Sequence, residues 1–169
     1  VPIGGGGLIS GVAYAIKYLK PECRVIGVQA AGAASMYTSR QAGEVLTLPS
    51  VATIADGIAV KRPGDLTFAL CQRYVDDIVT VRDDEIAAAI LALLEDQKTV
   101  AEGAGAVSVA AVMFGKVDLV GKNTVCVVSG GNVDVTTLSR IITKGLSKTG
   151  RITEFTVKIA DKPGSLVQL

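Results

Sequence analysis

Apolar and polar positions divide the chain into short blocks of two kinds. Residues 8–20 place Leu8, Val12, Ala15, Ile16 and Leu19 at helical spacing, and Pro21 stops the run. Residues 65–75 and 83–98 read the same way, the second with Ile86, Ile90, Leu93 and Leu94 as its stripe and Asp83 as its expected N-cap. Asp84 and Glu85 then fall in the first turn, where acids suit the helix dipole. Small-residue helices are expected over 31–43 and 104–114, and a further helix from a cap at Asp134 to about Gly145. Residues 46–57 read mostly as loop. Between these blocks lie continuous apolar runs without polar alternation: the stub 1–3, CRVIGVQ (23–29), DIVTV (77–81) and NTVCVVS (123–129). Strands of that kind, alternating with helices, predict an α/β fold with a doubly wound, mostly parallel sheet covered on both faces. The end of the chain changes rhythm. RITEFTVKIADKPGSLVQL alternates through Ile152, Phe155, Val157 and Ile159 and turns at Asp161, Lys162, Pro163 and Gly164. It predicts the first strand of a second, half-exposed sheet, so the expected domains are 1–147 and 148–169.

Composition narrows the chemistry. The 169 residues are 49% hydrophobic, enough for a buried core. Seventeen basic against sixteen acidic residues leave a net charge of +1, and aromatics are only 4%. Neither value suits a nucleic-acid or anionic-membrane partner. There is no histidine, which excludes Ser-His-Asp and Cys-His catalysis and His-ligated metals within these residues. Cys23, Cys71 and Cys126 are far apart, a pattern of reduced thiols rather than a disulfide frame. The longest apolar run, 86–94, is too short to span a membrane, and no signal peptide is evident.

Candidate chemistry begins at the amino end. Gly4, Gly5, Gly6 and Gly7 stand between a strand tail and a helix start, where backbone N–H groups and the helix dipole receive an anion. A tight turn alone would need one glycine, not four. A dinucleotide fingerprint fails, because its last glycine would fall on Ile9 or Ser10, and the acid expected after the next strand is Gln29. A triphosphate loop fails for want of a following Lys-Ser/Thr pair. A compact monophosphate held by amides remains. Ser129, Gly130, Gly131 and Asn132 leave another strand at its carboxyl end, the edge at which open α/β sheets bind ligands.

At PIGGGGLISG, VIGVQA, TIADGIAVKRPG, VDDIVTV, VAEGAGA and VVSGGNVD, the chain resembles the threonine dehydratases (threonine ammonia-lyases). These are pyridoxal-phosphate enzymes of the tryptophan-synthase-β fold type. The final VKIADKPGSL resembles the opening of an ACT regulatory domain. The resemblance implies the C-terminal part of a fold-type-II catalytic domain, followed by an incomplete ACT-like segment. It implies pyridoxal 5'-phosphate as cofactor, its phosphate held by Gly4, Gly5, Gly6, Gly7 and the amide of Leu8. Ser129 would hydrogen-bond the pyridine nitrogen, a setting that makes the ring a mild electron sink suited to β-elimination. Gly130, Gly131 and Asn132 would shape that pocket. For Glu102 two readings stand side by side: an acid close to the cofactor, or an acid at a helix N-terminus. Asp56 is expected to back a residue of the site or to brace its loop, without a catalytic role, and Lys61 and Arg62 to be surface charges. Asp161, Pro163 and Gly164 would lie at the turn near which ACT domains bind an amino-acid effector.

The implied reaction is β-elimination of L-threonine to 2-oxobutanoate and ammonia, with L-serine as a poorer substrate. The setting would be cytoplasmic amino-acid metabolism, such as isoleucine biosynthesis, in an allosteric homo-oligomer. A serine dehydratase or serine racemase of the same fold is the alternative, and a non-catalytic phosphate-binding fragment is the alternative of another class. Two departures qualify the resemblance. Relatives such as serine racemase carry metal-binding acids after the VIGV strand, where Gln29 and Ser35 stand here, so no divalent metal is expected. The Schiff-base lysine of the family lies well ahead of the glycine loop, and no lysine here sits in its motif. The chain also begins at Val1 and ends inside a motif. A fragment, inactive alone, is therefore expected.

Overall fold

The computed structural model describes residues 1–153 and 155–159. The turn carrying Asp161, Pro163 and Gly164 lies outside them. The elements run α1 (Gly7–Leu19), β1 (Ile26–Ala30), α2 (Ser35–Ala42), α3 (Asp65–Tyr74), β2 (Asp77–Val81), α4 (Asp83–Gln97), α5 (Gly103–Met113) and α6 (Val135–Lys148). Single 3-10 turns occur at Ala31–Ala33 and Asp56–Ile58.

β1 and β2 pair in parallel, from Ile26 opposite Asp77 to Ala30 opposite Val81. The amino-terminal stub joins the other edge of β1. Pro2 bridges to Val28 in parallel, and the Ile3 N–H donates to Val28 O at 2.8 Å. The α/β class with parallel strands is therefore as the sequence pattern predicts. The apolar interior forms two clusters. One gathers Ile3, Ile9, Met36, Cys71, Val75 and Ile78, between α1, α2, α3 and the sheet. The other gathers Val28, Val81, Ile86, Ile90, Ala104, Val107 and Ile141 around α4 and α5.

α5 is buried on almost every side, and its residues are small for that reason. A Cβ at Gly105 would lie 2.3 Å from Gly130 O, so two backbones meet there with no room for a side chain. At the start of α4 the acids do more than suit a dipole. Arg82 is the N-cap in place of the expected Asp83, and its N–H donates to Glu85 Oε2 at 2.8 Å. Asp83 reaches across instead, accepting from Thr53 Oγ1 at 2.6 Å and Ile54 N–H at 3.1 Å. Asp84 pairs with Lys148 of α6 at 2.8 Å, and Glu85 with Lys116 at 2.8 Å. Burial pushes the Asp84 carboxyl upward, but hydrogen bonds from Lys148 and Arg82 and their charges outweigh it, holding it down at about 2. Asp134 caps α6 as its position predicts, accepting from Thr137 N–H at 2.9 Å.

Three further expectations are corrected. The helix over 31–43 breaks into a 3-10 turn and α2. At Gly32 a Cβ would lie 1.9 Å from Ala52 O, and the close passage of those two backbones occupies the break. Residues 123–129 form no strand, and Val125 is 86% exposed. Among the described residues no neighbour offers that run a ladder, and an unpartnered strand has nothing to hold it. For the same reason 151–153 and 155–159 carry no strand, and Phe155 is exposed.

Candidate functional site

The glycine run is built from its surroundings outward. Gly6 sits at φ +97°, left-handed, and ends the loop as N-cap of α1. A Cβ there would lie 2.6 Å from Met36 Cε and 2.8 Å from Thr67 Cβ. A Cβ at Gly4 would press on Ile58 Cα at 3.1 Å. These two glycines answer to the protein's own packing. Gly5 and Gly7 do not: a Cβ at either would meet nothing within 4 Å. The protein gives no steric reason for the missing side chains there, whereas an approaching ligand does.

The donors are present as well. Among the described residues the N–H groups of Gly4, Gly5, Gly6, Gly7 and Leu8 make no hydrogen bond to the protein. They belong to a cleft of about 230 Å³ lined by Gly4, Gly5, Gly6, Gly7, Leu8, Ile58, Glu102 and Ser129 among others. No lysine or arginine lines it. Such a cradle can hold an oxyanion by amides and by the positive end of α1. Ser129 stands in the same cleft, and among the described residues its hydroxyl has no protein partner.

Glu102 is the N-cap of α5 and belongs to both readings given from sequence: it is at a helix N-terminus and it lines the cleft. Its Oε1 lies 2.4 Å from where a Cβ of Gly130 would be, so its carboxylate is laid across that glycine. Gly130 O in turn accepts the Glu102 N–H at 3.1 Å. Gly130 thus supports the site from behind rather than lining it. Glu102 also borders a second cleft of about 200 Å³, with Asp56, Asn132 and Asp134. Asp56 accepts its neighbour Gly57 N–H at 2.9 Å and so braces the 3-10 turn. Lys61 and Arg62 are exposed, and Arg62 pairs with Asp65 at 2.7 Å.

Gln29 is fully buried. Its amide nitrogen lies 3.3 Å from Ile3 O and 3.3 Å from Ala33 O, and its oxygen accepts the Tyr37 N–H at 2.8 Å. One neutral side chain thereby ties the strand ahead of the glycine loop to the turn after β1. Among the described residues no three His, Cys, Asp or Glu side chains converge as metal ligands.

Sequence reasoning did not single out Gly57, Ile58 and Ala104, which line the cleft, or Ser10 and Thr67, which hold the glycine loop. The strings TIADGIAVKRPG, VAEGAGA and PIGGGGLISG contain Gly57, Ile58, Ala104 and Ser10 but give them no role. Nothing in the spacing of LTFALCQ distinguishes Thr67 from any half-exposed helix residue.

Comparison with known proteins shows the family. Residues 1–130 match the family model described as pyridoxal-phosphate dependent enzyme. The whole chain is 54% identical to an L-threonine ammonia-lyase of Thermotoga maritima, spanning 42% of that relative's length. Among solved structures, the processed form of threonine deaminase isoform 2 from Solanum lycopersicum matches with TM-score 0.77 and 39% identity. That match covers 85% of this chain and 40% of the other. Maize serine racemase matches with TM-score 0.75 and 39% identity, over 85% of this chain and 46% of the other.

Proposed function

Because the chain belongs to the family of pyridoxal-phosphate dependent enzymes, we propose that the whole protein is an ammonia-lyase converting L-threonine to 2-oxobutanoate and ammonia. The observation that carries the reading is the pair Gly5 and Gly7, open to the cleft among five amides that the described protein leaves unbonded. They fit the phosphate of the family's cofactor. The 54% identity to an L-threonine ammonia-lyase supports the substrate.

When bound, pyridoxal phosphate supplies an electron sink for the bond broken at the substrate's Cα. The residues of this chain bind and orient. The N–H groups of Gly4, Gly5, Gly6, Gly7 and Leu8 hold the phosphate, with the α1 dipole adding to them. Ser129 offers a hydroxyl to the ring nitrogen, which a neutral group leaves less firmly protonated than a carboxylate would. Glu102, held by its packing on Gly130, sets one wall of the cleft. The likeness to maize serine racemase makes serine chemistry the second reading.

The 169 residues by themselves are proposed to bind a phosphate-bearing ligand without turnover, since none of their lysines occupies the family's lysine motif. Residues 148–169 are proposed as the start of an ACT-like regulatory segment, with Asp161, Pro163 and Gly164 at the effector turn and an amino acid as effector. A homo-oligomer in the cytoplasm completes the proposal. No helix among the described residues is long and apolar enough to cross a membrane.

The test is 2-oxobutanoate formation from L-threonine by the full-length protein, with and without pyridoxal phosphate, beside the 169-residue piece. Turnover by the full-length protein alone is expected. Pyruvate or D-serine from L-serine, at a higher kcat/KM than 2-oxobutanoate from L-threonine, would move the protein to the second reading. Absence of any cofactor-dependent product would overturn both.

A further inference from the structure

Four consecutive glycines make the most pliable backbone a chain can offer, yet a phosphate cradle needs fixed N–H directions. Something must supply the rigidity the residues lack. Behind the loop, on the side away from the cleft, the side chain of Thr67 on α3 donates to Gly5 O at 2.5 Å. Gly64 N–H points at the same oxygen from 3.4 Å. Neither residue lines the cleft. One turn further, Gly6 O accepts the Ser10 N–H at 3.0 Å and the Ser10 hydroxyl at 2.6 Å.

We propose that Thr67 is the positioning residue of the phosphate cradle, a role that rests on the reading of function above. In a trans peptide the carbonyl and the following N–H point in opposite directions, and no cis peptide occurs among the described residues. Fixing Gly5 O toward α3 therefore aims the Gly6 N–H away from α3. Fixing Gly6 O toward Ser10 in the same way aims the Gly7 N–H outward from the start of α1. Two donors of the cradle, the N–H groups of Gly6 and Gly7, are thus set by groups that do not line the cleft, and for Gly6 the Thr67 hydroxyl is the short one.

The hydroxyl of Thr67 has one proton and two carbonyls in reach, Gly5 O at 2.5 Å and Gly64 O at 3.0 Å. The shorter contact takes it. Gly64 O loses little, because the Phe68 N–H already donates to it at 2.8 Å. Gly5 O has no such substitute beyond the long contact from Gly64. The Thr67 carbon skeleton also fills the space beside Gly6, with Cβ 2.8 Å from where a side chain would begin. Remove the hydroxyl and the peptide between Gly5 and Gly6 regains its freedom. The ligand must then order that peptide itself, at a cost to affinity.

The experiment uses the full-length protein, stripped of cofactor and titrated with pyridoxal phosphate. Its readouts are the dissociation constant from cofactor absorbance, the 31P resonance of the bound phosphate, and the melting temperature of the cofactor-free form. Thr67→Val keeps the shape and removes the donor. It should weaken the cofactor's affinity about five- to tenfold, the net worth of one hydrogen bond, and move the 31P resonance toward that of free cofactor. Thr67→Ser keeps the donor and should restore both. If Thr67→Val does not fold, Thr67→Ala against Thr67→Ser makes the same comparison without the branched side chain. Equal affinity of parent and Thr67→Val would overturn the proposal. So would a Thr67→Ser variant as weak as Thr67→Val, or affinities that merely follow the melting temperature. A parent protein with no affinity for pyridoxal phosphate would overturn the functional reading instead. Inorganic phosphate titrated against parent and Thr67→Val would then test the cradle by itself, with the same ranking expected.

Discussion

Two segments of this chain look alike on paper: a run of apolar residues leading into glycines, once at 1–7 and once at 123–131. In the folded molecule they differ. The first run is bonded to β1, its Ile3 fully buried, and its glycines are held from behind by α3 and α1. The second lies along the surface, Val125 86% exposed, joined to α5 by the Ser108 hydroxyl on Val127 O at 2.9 Å. An apolar run is thus a request for burial, and only a neighbour with free N–H and C=O groups can grant it. The glycines that follow are fixed in both cases, the first run's by α3 and α1 and the second's by the start of α5, where Gly130 O accepts the Glu102 N–H at 3.1 Å.

The largest effect should come from breaking the first segment at its left-handed residue. Gly6→Ala forces a side chain into φ +97° and against Met36 and Thr67. Strain and overpacking together should cost about 3 kcal/mol, read as a lower denaturation midpoint with an unchanged m-value. Gly7→Ala separates ligand from fold. Its Cβ meets open space at the first helical position, so the cofactor-free protein should gain about 0.5 kcal/mol or more. The same methyl stands where the ligand must approach, and phosphate or cofactor affinity should fall at least tenfold, measured by titration. If affinity is unchanged, the cradle is not where the anion binds.

The second segment leads into α6, and α6 is tied to α4 through Asp84 and Lys148. Asp84 is held down at about 2, below its ordinary 3.8. A depressed carboxyl contributes stability that is complete above its unfolded-state value and lost as pH falls through the folded one. Between pH 4 and pH 2 the parent should therefore lose melting temperature more steeply than Asp84→Asn, with the two slopes alike above pH 5. The smallest effect belongs to the exposed run itself. Val125→Thr should change stability by less than about 0.5 kcal/mol, and a larger loss would mean that the segment is packed in solution.

The same difference divides what the sequence makes legible from what it does not. The glycine loop could be read because its chemistry is local: strand, glycines and helix follow one another along the chain. The capping Asp134 could be read for the same reason. Asp83 reads as a cap from sequence because its true partners, Thr53 and Ile54, lie thirty and twenty-nine residues away. Residues 123–129 read as a buried strand because hydropathy reports what a residue would prefer, not what stands next to it. Thr67 was invisible, since its bond to Gly5 spans 62 positions and a hydroxyl on a half-buried helix face has many ordinary uses. Gln29 was marked only as a missing acid, and its three hydrogen bonds give it a positive role that no spacing announces.

The two apolar clusters share the β1–β2 sheet, and each sends residues toward the cleft. One carries the glycine loop through Ile3 and Ile9, and the other carries the opposite wall through Ile58 and Ala104. A molecule seated between them touches both, so partial melting of either cluster removes part of its binding surface. Its free energy of binding is then shared by the two, raising the stability of each by the same logarithm of concentration over dissociation constant. In that sense an anion held in the cleft is a cooperative link: it adds a second tie between two parts of the interior that the sheet already joins.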